Sequence, residues 1–291
     1  MFSIIIPSFN NLNYLKLCID SIKKNSSFNH EIIIHINEGV DGTLEYVKKN
    51  NFSHSYTKNN IGLCSGTNLA ASKSSTDYIL YTHDDMYFCP NWDVVLKDEL
   101  SKIDTHLYYL SGTMIEKDGG HIKLNCGSDY SDFNEEKLIV ENKKLNFADH
   151  QGTHWAPHLI NKKIWNKVGG FSEEFNPGIG SDPDLNMKLW KIGVRIFKGL
   201  GSFRVYHFGS ISLRKKDTLK RNKGSKTFLK KWGISPTFFV KHYLKGAKFE
   251  NNQIICNLFD GPLKNPKKTP FYLFGLFLCK LKLIYYNIFK I

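Results

Sequence analysis

The chain has 291 residues, 41% of them hydrophobic, and a formal charge of +13 at pH 7. That is enough apolar material for one large domain, or two small ones, with a proper core. Its six cysteines, Cys18, Cys64, Cys89, Cys126, Cys256 and Cys279, include no CxxC pair, so they read as reduced thiols in a cytoplasmic protein and not as a disulfide framework.

Residues 2–6 read as an apolar strand stopped by Pro7, too short and uncharged for a targeting segment. Leu12, Leu15, Ile19 and Ile22 then recur at helical spacing up to Lys24. A second apolar strand over 31–36 ends in a turn over 37–42, which leads into a short helix over 43–50. A weaker strand over 52–56 precedes Asn59, Asn60, Ile61 and Gly62. These open a helix with Leu63, Thr67, Ala70 and Ala71 on one face. Tyr78, Ile79, Leu80 and Tyr81 form a short buried strand that ends in His83, Asp84 and Asp85. Strands alternating with helices indicate βαβ units, an α/β class and a mainly parallel sheet. Each strand ends in a small polar cluster, so several loops converge on one sheet edge, where open parallel sheets bind ligands.

Two adjacent carboxylates at that edge repel unless a cation joins them. A hard divalent ion, Mg²⁺ or Mn²⁺, held by carboxylate oxygens and carrying a phosphate would satisfy them. A solvated Asp-Asp turn closing the strand is the structural alternative.

Beyond this point Pro90, Asn91 and Trp92 start a helix to about Lys102, and residues 107–115 form a strand. Residues 116–150 are polar and read as a variable hairpin and loop region. A short helix from Asn161 ends at Gly169 and Gly170, and a loop over 175–180 follows. Asp182 would be the N-cap and Pro183 the first residue of a helix to about Lys191. Residues 202–207 alternate as an edge strand should and end at His207.

The charge is uneven. Residues 213–291 hold 18 Lys or Arg against 3 Asp or Glu, while residues 1–212 are close to neutral. Arg214, Lys215, Lys216, Lys220, Arg221, Lys223, Lys226, Lys230 and Lys231 form a dense run. It reads as a solvated segment, as cations approaching a diphosphate, or as a contact with an anionic membrane. The tail over 271–291 is rich in Phe, Leu, Ile and Tyr. Its uninterrupted apolar run is nine residues (271–279), short of the roughly 20 a spanning helix needs. A helix lying in the membrane interface fits, and so does one packed on the domain or on a second subunit.

Four motifs together carry a family resemblance. Pro7, Ser8, Phe9 and Asn10 resemble the opening motif of family 2 glycosyltransferases. Residues 37–43 are similar to that family's Asp-rich turn, and Asn60, Ile61, Gly62 and Asn68 to its third loop. His83, Asp84 and Asp85 stand where the family has its DxD-type metal motif. The resemblance covers residues 1–212. It departs in a turn one residue short, with Asn37 where the family's Asp grips the base, and in His83 at the first DxD position.

The resemblance implies a GT-A-type, Rossmann-like mixed and mainly parallel sheet flanked by helices. Residues 1–105 would be the nucleotide-sugar half, 106–212 the acceptor half and 213–291 a basic helical extension. It implies an inverting, metal-dependent transfer of sugar from a nucleotide-sugar donor to a hydroxyl of a glycan or lipid-linked saccharide. Asp85 and His207 would hold Mn²⁺ or Mg²⁺. Pro7, Ser8, Asn10, Asn37, Glu38, Asn60, Gly62, Asn68 and Asp84 would bind the donor. Asp182 would be the general base in addition to, or in place of, its capping role. His154 and Trp155 precede that block, and an aromatic face suits a sugar ring, so both are assigned to the acceptor. The expected location is cytoplasmic, peripheral on the inner face of a membrane. No nucleic-acid partner is expected, because the excess charge lies outside the motif-bearing part and no nucleic-acid module is visible. A nucleotidyltransferase would carry a Gly-rich basic loop after the first strand, which Pro7, Ser8, Phe9 and Asn10 do not supply. A non-catalytic sugar-binding relative is the other alternative, and Asp85, Asp182 and His207 together argue against it.

Overall fold

A computed structural model describes residues 1–209 and 223–288 of the chain. Its centre is a ten-stranded sheet among the described residues, eight strands along one path and two short ones paired off it. β1 (Ser3–Phe9), β2 (Glu31–Asn37), β3 (Ser53–Thr57) and β4 (Tyr78–Tyr81) form a parallel block. The connecting helices are α1 (Leu12–Asn25), α2 (Thr43–Lys49) and α3 (Leu63–Ala71). Ile4, Ile5 and Ile6 are fully buried, as a continuous apolar run must be when helices cover both faces of a parallel strand.

The second half is mixed. β9 (His158–Asn161) runs antiparallel between β4 and β6 (Tyr108–Glu116). β10 (Ile196–His207) is parallel to β6 and antiparallel to β5 (Met86–Phe88). The segment over 202–207 is therefore not an edge strand. It lies between two partners, and Phe203, Val205 and Tyr206 are all fully buried. Its apparent alternation came from Arg204, whose guanidinium is satisfied inside the fold by the carbonyls of Gly201, Asn142 and Leu145.

Residues 116–150 hold more structure than the expected hairpin and loop: β7 (Ile122–Lys123), α5 (Glu135–Lys144) and the start of β8 (His150–Gln151). Only Leu138 of α5 is buried, which is why no apolar periodicity announced that helix. The chain then passes from β9 through α6 (Lys162–Val168) to α7 (Ser181–Lys191). α4 (Trp92–Leu100) places Trp92 in the main core against Phe88 and Phe203.

The expected boundary at residue 212 lies outside the described residues, as do Arg214, Lys215, Lys216, Lys220 and Arg221. After the gap come α8 (Gly224–Trp232), α9 (Pro236–Phe239) with a π turn over Val240–Leu244, a β-hairpin (Lys248–Glu250 with Gln253–Cys256) and α10 (Pro270–Ile288). Phe228, Leu229, Phe238, Phe239 and Leu244 belong to the same core as the sheet. The extension thus packs back on the domain. Lys231 is not a solvated cation: it pairs with Glu174 at 2.7 Å and with buried Asp184 at 3.0 Å. α10 runs for 19 residues, twice the uninterrupted apolar run, because Lys280 and Lys282 are good helix formers and continue it.

Candidate active site

The site is built at the end of β4. Thr82 extends that strand by donating its N–H to the Ile5 carbonyl at 3.1 Å. The chain then turns through His83, Asp84 and Asp85 and re-enters the sheet as β5, where Met86 pairs in register with His207. Phe208 N–H donates to the Asp85 carbonyl at 3.1 Å. This one turn therefore joins the parallel block to β10 at the sheet's C-terminal edge.

Asp85 Oδ1 lies 3.4 Å from His207 Nε2 and 3.9 Å from His83 Nδ1. Ligand atoms of the three residues all fall within 4.8 Å of one another. Glu116, at the end of β6, holds His207 Nδ1 at 2.6 Å, which leaves Nε2 facing Asp85. Burial disfavours charge on His207, but Asp85 and Glu116 outweigh it and push its pKa up to about 10. Burial pushes His83 down to about 4 in spite of Asp85, so its ring is neutral at pH 7 and keeps a lone pair. Two imidazoles and a carboxylate, one imidazole backed by a second carboxylate, form a donor set suited to a divalent transition ion.

Asp84 is buried beside Asp85. Its Oδ2 accepts from Ser8 Oγ at 2.6 Å and its Oδ1 from Asn11 Nδ2 at 3.1 Å. It ties the first loop to the turn. Asn37 does similar work for the third loop: its Oδ1 accepts from Ile61 N–H at 2.9 Å. Gly62 has φ +87°, and a Cβ there would stand 2.3 Å from Asn176 Oδ1. Only glycine fits, because Asn176 closes on α3 and accepts from Cys64 N–H at 2.9 Å.

Gly180 occupies the N-cap position of α7 with φ 88°. Asp182 is therefore not the cap; it stands in the first turn. Its Oδ1 is buried with no hydrogen-bond partner among the described residues, and burial raises its pKa from 3.8 to about 7. Two residues on, Asp184 is fully buried and accepts from Ser172 Oγ at 2.6 Å and Trp232 Nε1 at 2.7 Å. One acid of this turn is satisfied by the fold. The other is left facing the cleft.

That cleft has a volume of about 390 Å³. Pro7, Ser8, Asn37, Asn60, Gly62, Asp84, Asp85, Trp155, Asp182 and His207 all line it, together with His83, Glu116, Phe9, Met86 and Met114. Trp155 is 43% exposed, and its carbonyl accepts from Tyr109 Oη at 3.2 Å. Asn10, Glu38, Asn68 and His154 are not among the lining residues. Asn10 Nδ2 donates to Glu38 Oε2 at 3.1 Å. Asn68 exchanges two hydrogen bonds with the Phe171 backbone. His154 packs against Trp155 with ring centroids 4.2 Å apart and the planes tilted by 34°.

The family model for glycosyl transferase family 2 matches residues 3–165, more than half of the chain. The chain belongs to glycosyl transferase family 2. It is a glycosyltransferase by that membership. The chondroitin synthase of Pasteurella multocida (strain Pm70) is 28% identical over 228 residues, which is 76% of this chain and 22% of that one. A hyaluronan synthase of Pasteurella multocida is 27% identical over the same shares. The glycosyltransferase thus spans only about a fifth of the length of these curated relatives. Among solved structures, TarS of S. aureus with UDP-GlcNAc superposes with a TM-score of 0.51 at 19% identity, covering 72% of this chain and 60% of that one. GalNAc-T7 with UDP, GalNAc and Mn²⁺ superposes at 0.55 and 17% identity, covering 82% and 46%. These likenesses establish the GT-A fold of the glycosyltransferase.

Sequence reasoning missed His83 and Glu116 as parts of the cluster. In the sequence His83 departs from the DxD motif, although imidazole at that position can ligate. Glu116 stood 91 residues from His207 with no local signal; only the parallel pairing of β6 with β10 brings them together.

Proposed function

We propose that this family 2 glycosyltransferase moves a sugar from a nucleotide-sugar donor, uridine-linked in the first instance, to a hydroxyl of a glycan or lipid-linked saccharide, inverting the anomeric centre. The observation that carries the reading is one cleft lined both by Asp182 and by the His83, Asp85 and His207 cluster. Uridine is supported by the ligands named for TarS and GalNAc-T7.

His83, Asp85 and His207 would hold the metal. Two nitrogen donors favour Mn²⁺ over the all-oxygen preference of Mg²⁺. The bound ion would supply positive charge where the diphosphate leaves. His207 carries a proton in the metal-free protein, and binding would release it. Glu116 orients the His207 ring. Ser8 and Asn11 hold Asp84, and with it the first loop, against the metal turn, so that Pro7, Ser8, Asn37, Asn60 and Gly62 form the donor wall within residues 1–105.

Asp182 takes the proton of the acceptor hydroxyl. A carboxyl with a pKa near 7 is half ionised at neutral pH and is a stronger base than an ordinary aspartate. Trp155 offers an aromatic face to the acceptor ring within residues 106–212, with His154 packed against it. The basic extension over 213–291 supports a cytoplasmic position, peripheral on a membrane, where a lipid-linked saccharide would be met.

The test is a thermal-shift and UDP-release screen of UDP-, GDP-, dTDP- and CMP-sugars with and without Mn²⁺. A stabilisation that requires Mn²⁺ and one nucleotide class is expected, followed by NMR of the product anomer. Folded protein that responds to none of the donors, or a product that retains the donor's configuration, would overturn the reading.

A further inference from the structure

Among the described residues, α10 carries the largest group of exposed apolar side chains. Of its 19 residues only Tyr272 and Cys279 are buried, and by length and composition it could cross a membrane. Its packing argues otherwise. Tyr272 Oη and Tyr243 Oη are 3.2 Å apart, the Tyr272 ring sits 5.0 Å from Phe238, and the Cys279 sulfur accepts from Ser235 N–H at 3.4 Å. A Cβ on Gly275 would come within 3.0 Å of Phe238, so the absence of a side chain is what lets the helix lie this close. Lys226 Nζ lies over Tyr286 at 5.5 Å. One side of α10 is thus seated along its length on α9, the π turn and α8.

The opposite side is bare. Phe271, Phe274, Phe277, Leu278, Leu281 and Ile284 are exposed, Phe271 at 81% and Phe274 at 61%. At about 100° per residue they fall within an arc of about 140°, and Lys280 and Lys282 stand on its two borders. Tyr272, Gly275, Leu276, Cys279, Leu283 and Tyr286 fill the other side. No Asp or Glu follows Asp260 in the sequence, while Lys264, Lys267 and Lys268 immediately precede the helix.

We propose that α10 lies in the plane of an anionic lipid bilayer, its outer apolar arc sunk at the level of the acyl chains and its bordering lysines on the headgroups. A second copy of the chain is the weaker occupant. Two copies paired through this arc would offer Lys280 and Lys282 no acid in 261–291 to offset them, whereas anionic headgroups supply the missing charge. A spanning arrangement would strip the inner side from Phe238, Tyr243 and Ser235. The inference rests on the membrane placement proposed for the extension and on none of the transfer chemistry.

The experiment is co-sedimentation of the full chain with vesicles of phosphatidylcholine alone or mixed with phosphatidylglycerol. Binding to the mixed vesicles only, reversed by salt and by alkaline carbonate, is expected. Phe274→Asp with Leu281→Asp should lower partition at least about 100-fold, and Lys280→Gln with Lys282→Gln about 30-fold. Both pairs are solvent-facing, and melting temperature checks that the variants fold. Four results would overturn the proposal: no binding to either vesicle, equal binding to both, retention after carbonate, or a dimer in sedimentation that the Asp pair dissolves. Donor-dependent thermal shift without vesicles is read separately, so failure here leaves the catalytic reading standing, and the converse holds.

Discussion

Replacing Asp182 by Asn removes one oxygen's charge and almost no volume. Burial raises the carboxyl from 3.8 to about 7, a gap that corresponds to about 4 kcal/mol against the charged form. Solvent at the open side of the cleft screens part of this, so about 1–3 kcal/mol is expected. A carboxyl whose folded pKa exceeds its unfolded value binds more protons when folded. Its contribution to stability is therefore complete below pH 3.8 and is lost as pH rises through about 7. Asn cannot ionise. D182N should match the parent near pH 4 and exceed it by about 1–3 kcal/mol above pH 7. Transfer should move the other way, falling by about 10²–10⁴ with nucleotide affinity retained. The parent's kcat/KM should drop about tenfold per pH unit below about 7, and the residual rate of D182N should lose that slope. Melting curves at acid and mildly alkaline pH, UDP release and calorimetric nucleotide titration read these quantities. Parent-like turnover in D182N, or lower stability than the parent at pH 8, would refute the base assignment.

Asp85→Ala should abolish Mn²⁺-dependent nucleotide binding in calorimetry, and undiminished binding would remove Asp85 from the metal site. Glu116→Gln removes the carboxylate behind His207; Mn²⁺ affinity should weaken about 10–100-fold, and NMR titration should find the His207 pKa lowered. Lys231→Met leaves Asp184 without its ion pair in the core and should cost about 1–3 kcal/mol in denaturant unfolding; an unchanged midpoint would mean that Trp232 and Ser172 suffice. Asn176→Ala uncaps α3 and should cost about 1 kcal/mol, read in the same experiment.

The first 81 residues were legible because each of their strands is a local event. β1, β2 and β4 are apolar runs with one reading, Pro7, Gly42 and Gly62 punctuate the stretch, and β3 is the weaker, polar and partly exposed strand. The same locality made the carboxylate turn visible, since Asp84 and Asp85 directly follow their strand. Asp182 was visible as an acid at a helix start. What it lacked in the sequence was its cap, which is Gly180 in a left-handed conformation. Only the folded chain decides that Asp184 is satisfied and Asp182 is not, because the partners of Asp184 come from Ser172 and from the distant Lys231 and Trp232.

The sequence by itself determined the alternation of elements, the order of the loops and the asymmetry of charge, all carried by neighbours along the chain. Tertiary structure alone decided that β9 separates two parallel blocks. It also decided that His83 joins Asp85 and His207, that Asn68 bonds the Phe171 backbone away from the cleft, and that α10 keeps one side bare. Those outcomes depend on pairings across tens of residues, where the geometry of the sheet, and not local propensity, selects which side chains meet.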